Sequence, residues 1–181
     1  GDGIAFYTKF EKGPYTTITH REMFADVNSM GTALIARGMK ERRIAVIGET
    51  NYMWSIGYLS VVCGTGVVVP LDKELSYNEL KHLINEAECS AVIFDKKREE
   101  LLISQDRKES AEGIISQREL VTEGRKLIGQ GDRSFLDAQI DSREMSVIIF
   151  TSGTTGMAKG IMLSHRNIVA DLMVAPALLK V

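Results

Sequence analysis

The run IAVIGETNYMWSIGYLSVVCGTGVVVPLDKELSYNELKHLINEAECSAVIF, from Ile44 to Phe94, decides the fold. Ile44 to Ile47 reads as a short apolar strand. Asn51 is placed to cap a helix, with Trp54, Tyr58, Val61 and Val62 as its apolar face. That helix runs to about Cys63, a glycine turn follows, and Val67 to Val69 is a second apolar strand. Ser76 and Glu79 form a capping box that opens a helix through Leu80, Leu83, Ile84 and Ala87. Ala91 to Phe94 is a third strand. Strand, helix, strand, helix, strand with short links predicts a βαβαβ unit, its parallel strands at 44–48, 67–70 and 91–94. Strands that read apolar without alternation are covered by helices on both faces. The expected architecture is therefore α/β, three-layered, on a mainly parallel, doubly wound sheet. Residues 51–71 carry no charge and are long enough to span a bilayer. Gly57, Gly64, Gly66, Pro70 and the hydroxyls among them favour helix, turn and buried strand instead, so no transmembrane segment is expected.

Upstream, Thr19 and Glu22 make another capping box, followed by Met23, Val27, Met30, Leu34 and Ile35 at helical spacing. Gly38 is the natural stop. Downstream, Asp95 to Glu112 is charged and polar, broken by Leu101–Ser104, which is readable as a strand. Ser116 and Glu119 predict a third capping box, with a helix to about Ile128. Gly129 to Arg143 reads as a polar surface connection. Ser164 is expected to cap a last helix from His165 to near Ala175, with Pro176 at its frayed end.

The chemistry is concentrated in VIIFTSGTTGMAKGIMLSH, Val147 to His165. Two apolar runs flank Thr151, Ser152, Gly153, Thr154, Thr155, Gly156, Met157, Ala158, Lys159 and Gly160. Three glycines and four hydroxyl residues leave the backbone free to bend and to point successive N–H groups at one anion. Lys159 adds a compact positive charge suited to phosphate. The pattern predicts a polyphosphate cradle, mobile without nucleotide, joining two paired strands at 147–151 and 160–163. It is not a Walker A loop, because Lys159 does not follow Gly156 directly and a strand, not a helix, comes next. The dinucleotide fingerprint G-x-G-x-x-G is absent.

FTSGTTGMAKGIMLSHRN resembles the signature loop of the adenylate-forming superfamily: acyl-CoA synthetases, peptide-synthetase adenylation domains and luciferases. The usual pattern is TSGTTG-x-P-K-G. The chain keeps Thr151 to Gly156, Lys159 and Gly160, and has Ala158 where proline is usual. The segment from Ile18 through "VPLD" resembles the start of these enzymes. GETNYMWSIGYL and LINEAECSAVIF resemble the long-chain fatty acyl-CoA synthetase branch. The resemblance implies that residues 1–181 are one α/β domain, a fragment of the AMP-binding N-terminal domain, with the C-terminal domain absent. It implies ATP-dependent activation of a carboxylic acid, a long-chain fatty acid, to acyl-adenylate and then acyl-CoA. ATP and Mg²⁺ are the implied cofactors and CoA the co-substrate. Thr151, Ser152, Gly153, Thr154, Thr155, Gly156, Lys159 and Gly160 would bind nucleotide. Lys159 would neutralise phosphate charge, and the Thr151 or Thr154 hydroxyl would be a magnesium ligand. The family's main catalytic lysine lies outside this chain, so the fragment is expected to be inactive alone. An amino-acid or aryl-acid adenylation domain, or a non-catalytic nucleotide-binding fragment, remains an alternative.

Composition agrees with a globular domain: 44% hydrophobic and 25% charged over 181 residues. Net charge −2 argues against a nucleic-acid surface. Small molecules are the expected partners, with peripheral membrane association open to the parent enzyme. Cys63 and Cys89 lack metal or redox spacing and predict buried free thiols in a reducing cytoplasm. His165 reads as a helix-terminus residue, His20 and His82 as surface or packing residues, and Trp54 as core. Asp72 and Asp95 follow parallel strands, where open α/β sheets bind ligands, but read as loop-capping carboxylates. No metal-ligand cluster or Ser-His-Asp set stands out.

Overall fold

The computed structural model describes residues 1–9, 13–94, 114–152 and 158–179. An antiparallel hairpin, β1 (Ile4–Lys9) and β2 (Tyr15–Thr19), leads into α1 (His20–Ala36). Then come β3 (Arg42–Ile47), α2 (Tyr52–Ser60), a π-helical turn over Val61–Thr65, and β4 (Gly66–Leu71). Next are α3 (Tyr77–Glu86), β5 (Ala91–Phe94), β6 (Ile114–Ser116) and α4 (Gln117–Gly129). The chain closes with β7 (Met145–Ser152), β8 (Ala158–Ser164) and α5 (His165–Leu179).

Six strands form the main sheet in the order β6-β5-β3-β4-β7-β8. All neighbours are parallel except β7 and β8. The expected parallel strands are thus present, within a mixed sheet. The steps β3 to β4 and β6 to β7 run one way across it; β4 to β5 runs back. With one crossover hand, the helices on the first two steps must share a face and the returning helix must take the other. The two cores agree. Tyr52 and Ile56 of α2, Leu120 of α4, and Met30 and Leu34 of α1 pack on Ile44, Val46, Val68, Ile93 and Val147. On the other face Leu80 and Leu83 of α3 pack on Ala45, Ile47, Val69, Phe94 and Ile148. Alternate residues of one strand feed opposite cores, which is why these strands read as unbroken apolar runs.

The first-face helices are tied by charge as well as packing. Asp26 on α1 accepts from the Tyr52 hydroxyl of α2 (2.7 Å) and from the Arg125 guanidinium of α4 (2.6 Å). The Thr19 and Ser76 capping boxes form as expected, and Asn51 accepts from the Trp54 N–H. Gly38, at φ 77, ends the turn after α1.

Several expectations are corrected. Ser116 precedes α4 but makes no side-chain cap, because it is the last residue of β6, paired with Phe94. The core face of α2 is Tyr52, Ile56 and Ser60; Trp54 and Tyr58 stack on each other half-buried, 5.5 Å between rings. The helix ends at Ser60, where the π-helical turn takes over. Cys63 is exposed on that turn and Cys89 is half-buried; both are free. α5 continues through Pro176 to Leu179. The 129–143 connection sends Phe135 into the core, against Gly31 of α1 and Gly64 of the turn, where a Cβ would meet its ring. The hairpin β1–β2 and the strand β6 carried no recognised signal. Asp95 and Leu101–Ser104 lie outside the described residues. Among the described residues no helix is long and apolar enough to cross a membrane.

Candidate phosphate-loop site

Strands β7 and β8 pair antiparallel, as the paired-strand reading of the loop requires. The register sets Phe150 opposite Gly160, Thr151 opposite Lys159, and Ser152 opposite Ala158. A strand beginning at Ala158 leaves no Walker A helix after Gly156. Gly153, Thr154, Thr155 and Gly156, and with them the expectation of a mobile loop, lie outside the described residues. What the structure defines is the root from which they spring.

Side chains alternate across a sheet. Val147 enters the α1–α2–α4 core, so Ile149 and Thr151 face the same side. Their antiparallel partners Ile161 and Lys159 face it too. Directly opposed side chains sit with Cβ atoms about 4.5–5.5 Å apart. The Thr151 and Lys159 side chains therefore leave the sheet side by side on one face, and both residues are exposed. The exposed pair Ile149 and Ile161 forms an apolar step just below them. Gly160 faces the other way. A Cβ there would lie 3.2 Å from Ile148 Cγ2 and 3.4 Å from Phe150 Cε1, so this glycine has a packing reason of its own.

The root lies at the edge of the sheet where β3, β4, β5 and β7 all end, because these strands are parallel. Open α/β sheets take ligands at this edge. Asp72 sits there as a loop-capping carboxylate, its Oδ1 accepting the Glu74 N–H at 2.9 Å. The next residue, Lys73, donates to Glu49 Oε2 at 2.8 Å, joining the ends of β4 and β3. Neither of these two residues stood out in the sequence; their pairing depends on the register of strands 24 residues apart.

His165 opens α5. Its backbone N–H donates to the Glu144 carbonyl (3.2 Å), and burial pushes its imidazole below the ordinary range. Ser164 caps the helix through Asn167, whose Oδ1 accepts from the Ser164 hydroxyl at 2.7 Å. The helix-terminus reading of His165 fits this geometry. His20 and His82 are exposed on α1 and α3. Among the described residues no group of three or more His, Cys, Asp or Glu is gathered. Magnesium keeps several waters and takes oxygens from phosphate. Thr151 offers one hard oxygen, which fits a single ligand position beside a bound triphosphate. Chemically, the root offers one hydroxyl, one ammonium and a paired backbone at an open, ligand-accessible edge.

Residues 1–178 match the family model described as AMP-binding enzyme. The chain is 28% identical over 193 residues to the long-chain-fatty-acid–CoA ligase 6 of Homo sapiens, covering 94% of this chain and 28% of that protein. Its fold is similar to that of apo MatB from Rhodopseudomonas palustris, with TM-score 0.73 and 23% identity over 92% of this chain and 33% of that one. It is also similar to the A-PCP didomain of a carboxylic acid reductase from Segniliparus rugosus, solved in complex with AMP. That likeness has TM-score 0.71 and 20% identity, covering 86% of this chain and 26% of the other.

Proposed function

The chain belongs to the AMP-binding enzyme family, and from that premise we propose that it carries the ATP-phosphate-binding part of an acid–thiol ligase. In this reading the ligase activates a long-chain fatty acid. A carboxylate oxygen attacks the α-phosphorus of ATP, and the bond to pyrophosphate breaks. The acyl carbon of the adenylate is then attacked by the CoA thiol sulfur; AMP leaves and the thiol proton goes to solvent. Chemistry at phosphorus depends on positioning and on neutralising charge on the departing pyrophosphate. Lys159 supplies one such charge, and Thr151 holds a phosphate oxygen or one position on magnesium. Bound magnesium would spread the triphosphate charge. Two strands clamp the ends of the glycine loop, so the ligating groups are aimed from a rigid base.

One observation carries this reading: the β7–β8 register places Thr151 opposite Lys159 at the carboxyl edge of the parallel strands. The fatty-acid assignment is supported by relatives named long-chain-fatty-acid–CoA ligases. The chain spans about 28% of such a relative, so the activity belongs to a longer polypeptide in this proposal. Two free cysteines suit a reducing, cytoplasmic setting. The test is ATP–pyrophosphate exchange by the polypeptide carrying these residues, with fatty, aryl and amino acids offered in turn. Exchange driven by a long-chain fatty acid is expected. Exchange driven by an amino or aryl acid alone moves the chain to the adenylation-domain reading. ATP binding without exchange for any acid makes it a non-catalytic nucleotide-binding protein.

A further inference from the structure

On the sheet face turned away from Thr151 and Lys159, the same two strands carry a second device. Phe150 lies directly opposite Gly160. A Cβ on Gly160 would stand 3.4 Å from Phe150 Cε1 and 3.7 Å from its Cζ, so the ring edge fills the place of the missing side chain. Ile148 Cγ2, 3.2 Å from the same position, closes the slot. Gly160 has no left-handed φ, so it is the slot and not the backbone conformation that asks for glycine. The ring itself is half-buried against the α3-side core, which holds Ile148, Val69 and Leu71. A glycine inside a strand is a weak point, with no side chain to pack and more backbone freedom to lose. Among the described residues β8 is also the outermost strand of its sheet, so β7 alone restrains it within the sheet. Lys159 is the next residue along from that weak point. An aromatic laid across an edge glycine from the neighbouring strand restores the order that the glycine gives up.

We propose that Phe150 is a positioning residue for the phosphate site: its ring, seated over Gly160, holds β8 against β7 so that Lys159 leaves the sheet in a fixed direction. This rests on the reading of Lys159 as a phosphate ligand. The ring touches no ligand and acts through the Gly160 backbone. It also gives Gly160 a role on the face turned away from Thr151 and Lys159, as the slot for an aromatic edge. A charged group aimed in advance has less freedom to lose when its ligand arrives, which is where such a ring would gain affinity. Leucine at position 150 would keep apolar contact with the core and lose the flat edge that fits the slot. Tyrosine would keep that edge.

Two NMR measurements on the 181-residue chain test this, in wild type, Phe150→Leu, Phe150→Tyr, Lys159→Ala and the Phe150→Leu/Lys159→Ala double variant. Far-UV circular dichroism confirms that each is folded. The first is backbone relaxation without ligand. Amide order parameters at Lys159 and Gly160 should fall in Phe150→Leu from the rigid range, about 0.85, toward about 0.6, and should stay rigid in Phe150→Tyr. The second is a titration with pyrophosphate and magnesium. Phe150→Leu should weaken binding about three- to tenfold, less than the whole lysine contact is worth, and Phe150→Tyr should bind as wild type. In the Lys159→Ala background Phe150→Leu should weaken binding no further, because the ring acts through that lysine. A ring that merely stabilises the fold would lower the unfolding midpoint and leave the affinity of the folded chain unchanged. Unchanged order or unchanged affinity in Phe150→Leu, or an equal loss with and without Lys159, overturns the proposal. Failure of wild type to bind, or wild-type affinity in Lys159→Ala, overturns the phosphate-ligand reading and the proposal with it; the relaxation result shows separately whether the ring orders β8.

Discussion

Lys159 stands exposed opposite Thr151, with no ion pair among the described residues to restrain it. Its removal therefore costs the fold little. A charge-assisted contact to phosphate is worth about 1.5–3 kcal/mol. In the polypeptide carrying these residues, Lys159→Ala should lower ATP–pyrophosphate exchange roughly ten- to a hundredfold, with thermal unfolding unchanged. Normal exchange by the folded variant would remove this lysine from the site. Gly124 is the opposite case. A Cβ there would press into the backbone of Ser29, because α4 crosses α1 at this point without a side chain between them. Backbone cannot yield as a flexible side chain does. Gly124→Ala should destabilise the fold by about 1–3 kcal/mol through overpacking, read as a lower urea midpoint. An unchanged midpoint would show that α1 and α4 separate freely. Lys159 was legible in the sequence because its role is set by neighbours in the chain. Gly124 was not, because its role is set by a residue on another helix.

Among the elements, the same division separates what the sequence announced from what it did not. The Thr19 and Ser76 boxes and the Asn51 cap are local devices, closed within three residues, and all three form. Ser116 has the same local spelling, but its backbone is committed to β6, and the box does not close. A pairing with a strand remote in sequence overrode the local pattern. Phe135 was hidden for a similar reason: one aromatic in a polar stretch has no periodicity, and its slot is made by Gly31 and Gly64. The two formed boxes predict a pH dependence. Thr19, mainly through its backbone N–H, and Ser76, mainly through its hydroxyl, hold the Glu22 and Glu79 carboxyls below their ordinary value of 4.5. A carboxyl lowered in the folded state contributes stability that is present above the unfolded value and lost as pH falls through the folded one. The urea midpoint should therefore hold steady near neutrality and fall below about pH 4.5. In the Glu22→Gln/Glu79→Gln variant that acid fall should be shallower. A parallel fall in both proteins would assign the acid sensitivity to other carboxylates.

At the level of the molecule, the alternation of strands and helices was enough to give the layers and the parallel centre. It could not give the sheet order, because β7 joins beside β4 only after the chain has passed through β5 and β6 on the other side. That order matters for function. It puts the root of the glycine loop beside the diverging ends of β3 and β4, and not at an isolated edge. It also leaves one flank open. Ile161 and Met162 on β8, and Val169, Leu172 and Met173 on α5, are exposed. Thr151 and Lys159 are exposed with them, so in our proposal the described residues would meet a nucleotide from one side. The chain spans about 28% of a curated relative's length, and in our proposal the adenine pocket and the acid site belong to the remainder. Binding that relies on a few phosphate contacts must order loop and ligand with little return. The 181-residue chain alone is therefore expected to bind ATP no more tightly than about millimolar, on the order of 4 kcal/mol. It should release no pyrophosphate when given ATP, magnesium and a fatty acid. A calorimetric titration and a coupled pyrophosphate assay on the purified chain check both points. Turnover by this chain would mean that a complete site is built from residues given structural roles here, and the search for it would begin at His165, Glu49 and the exposed step of Ile149 and Ile161.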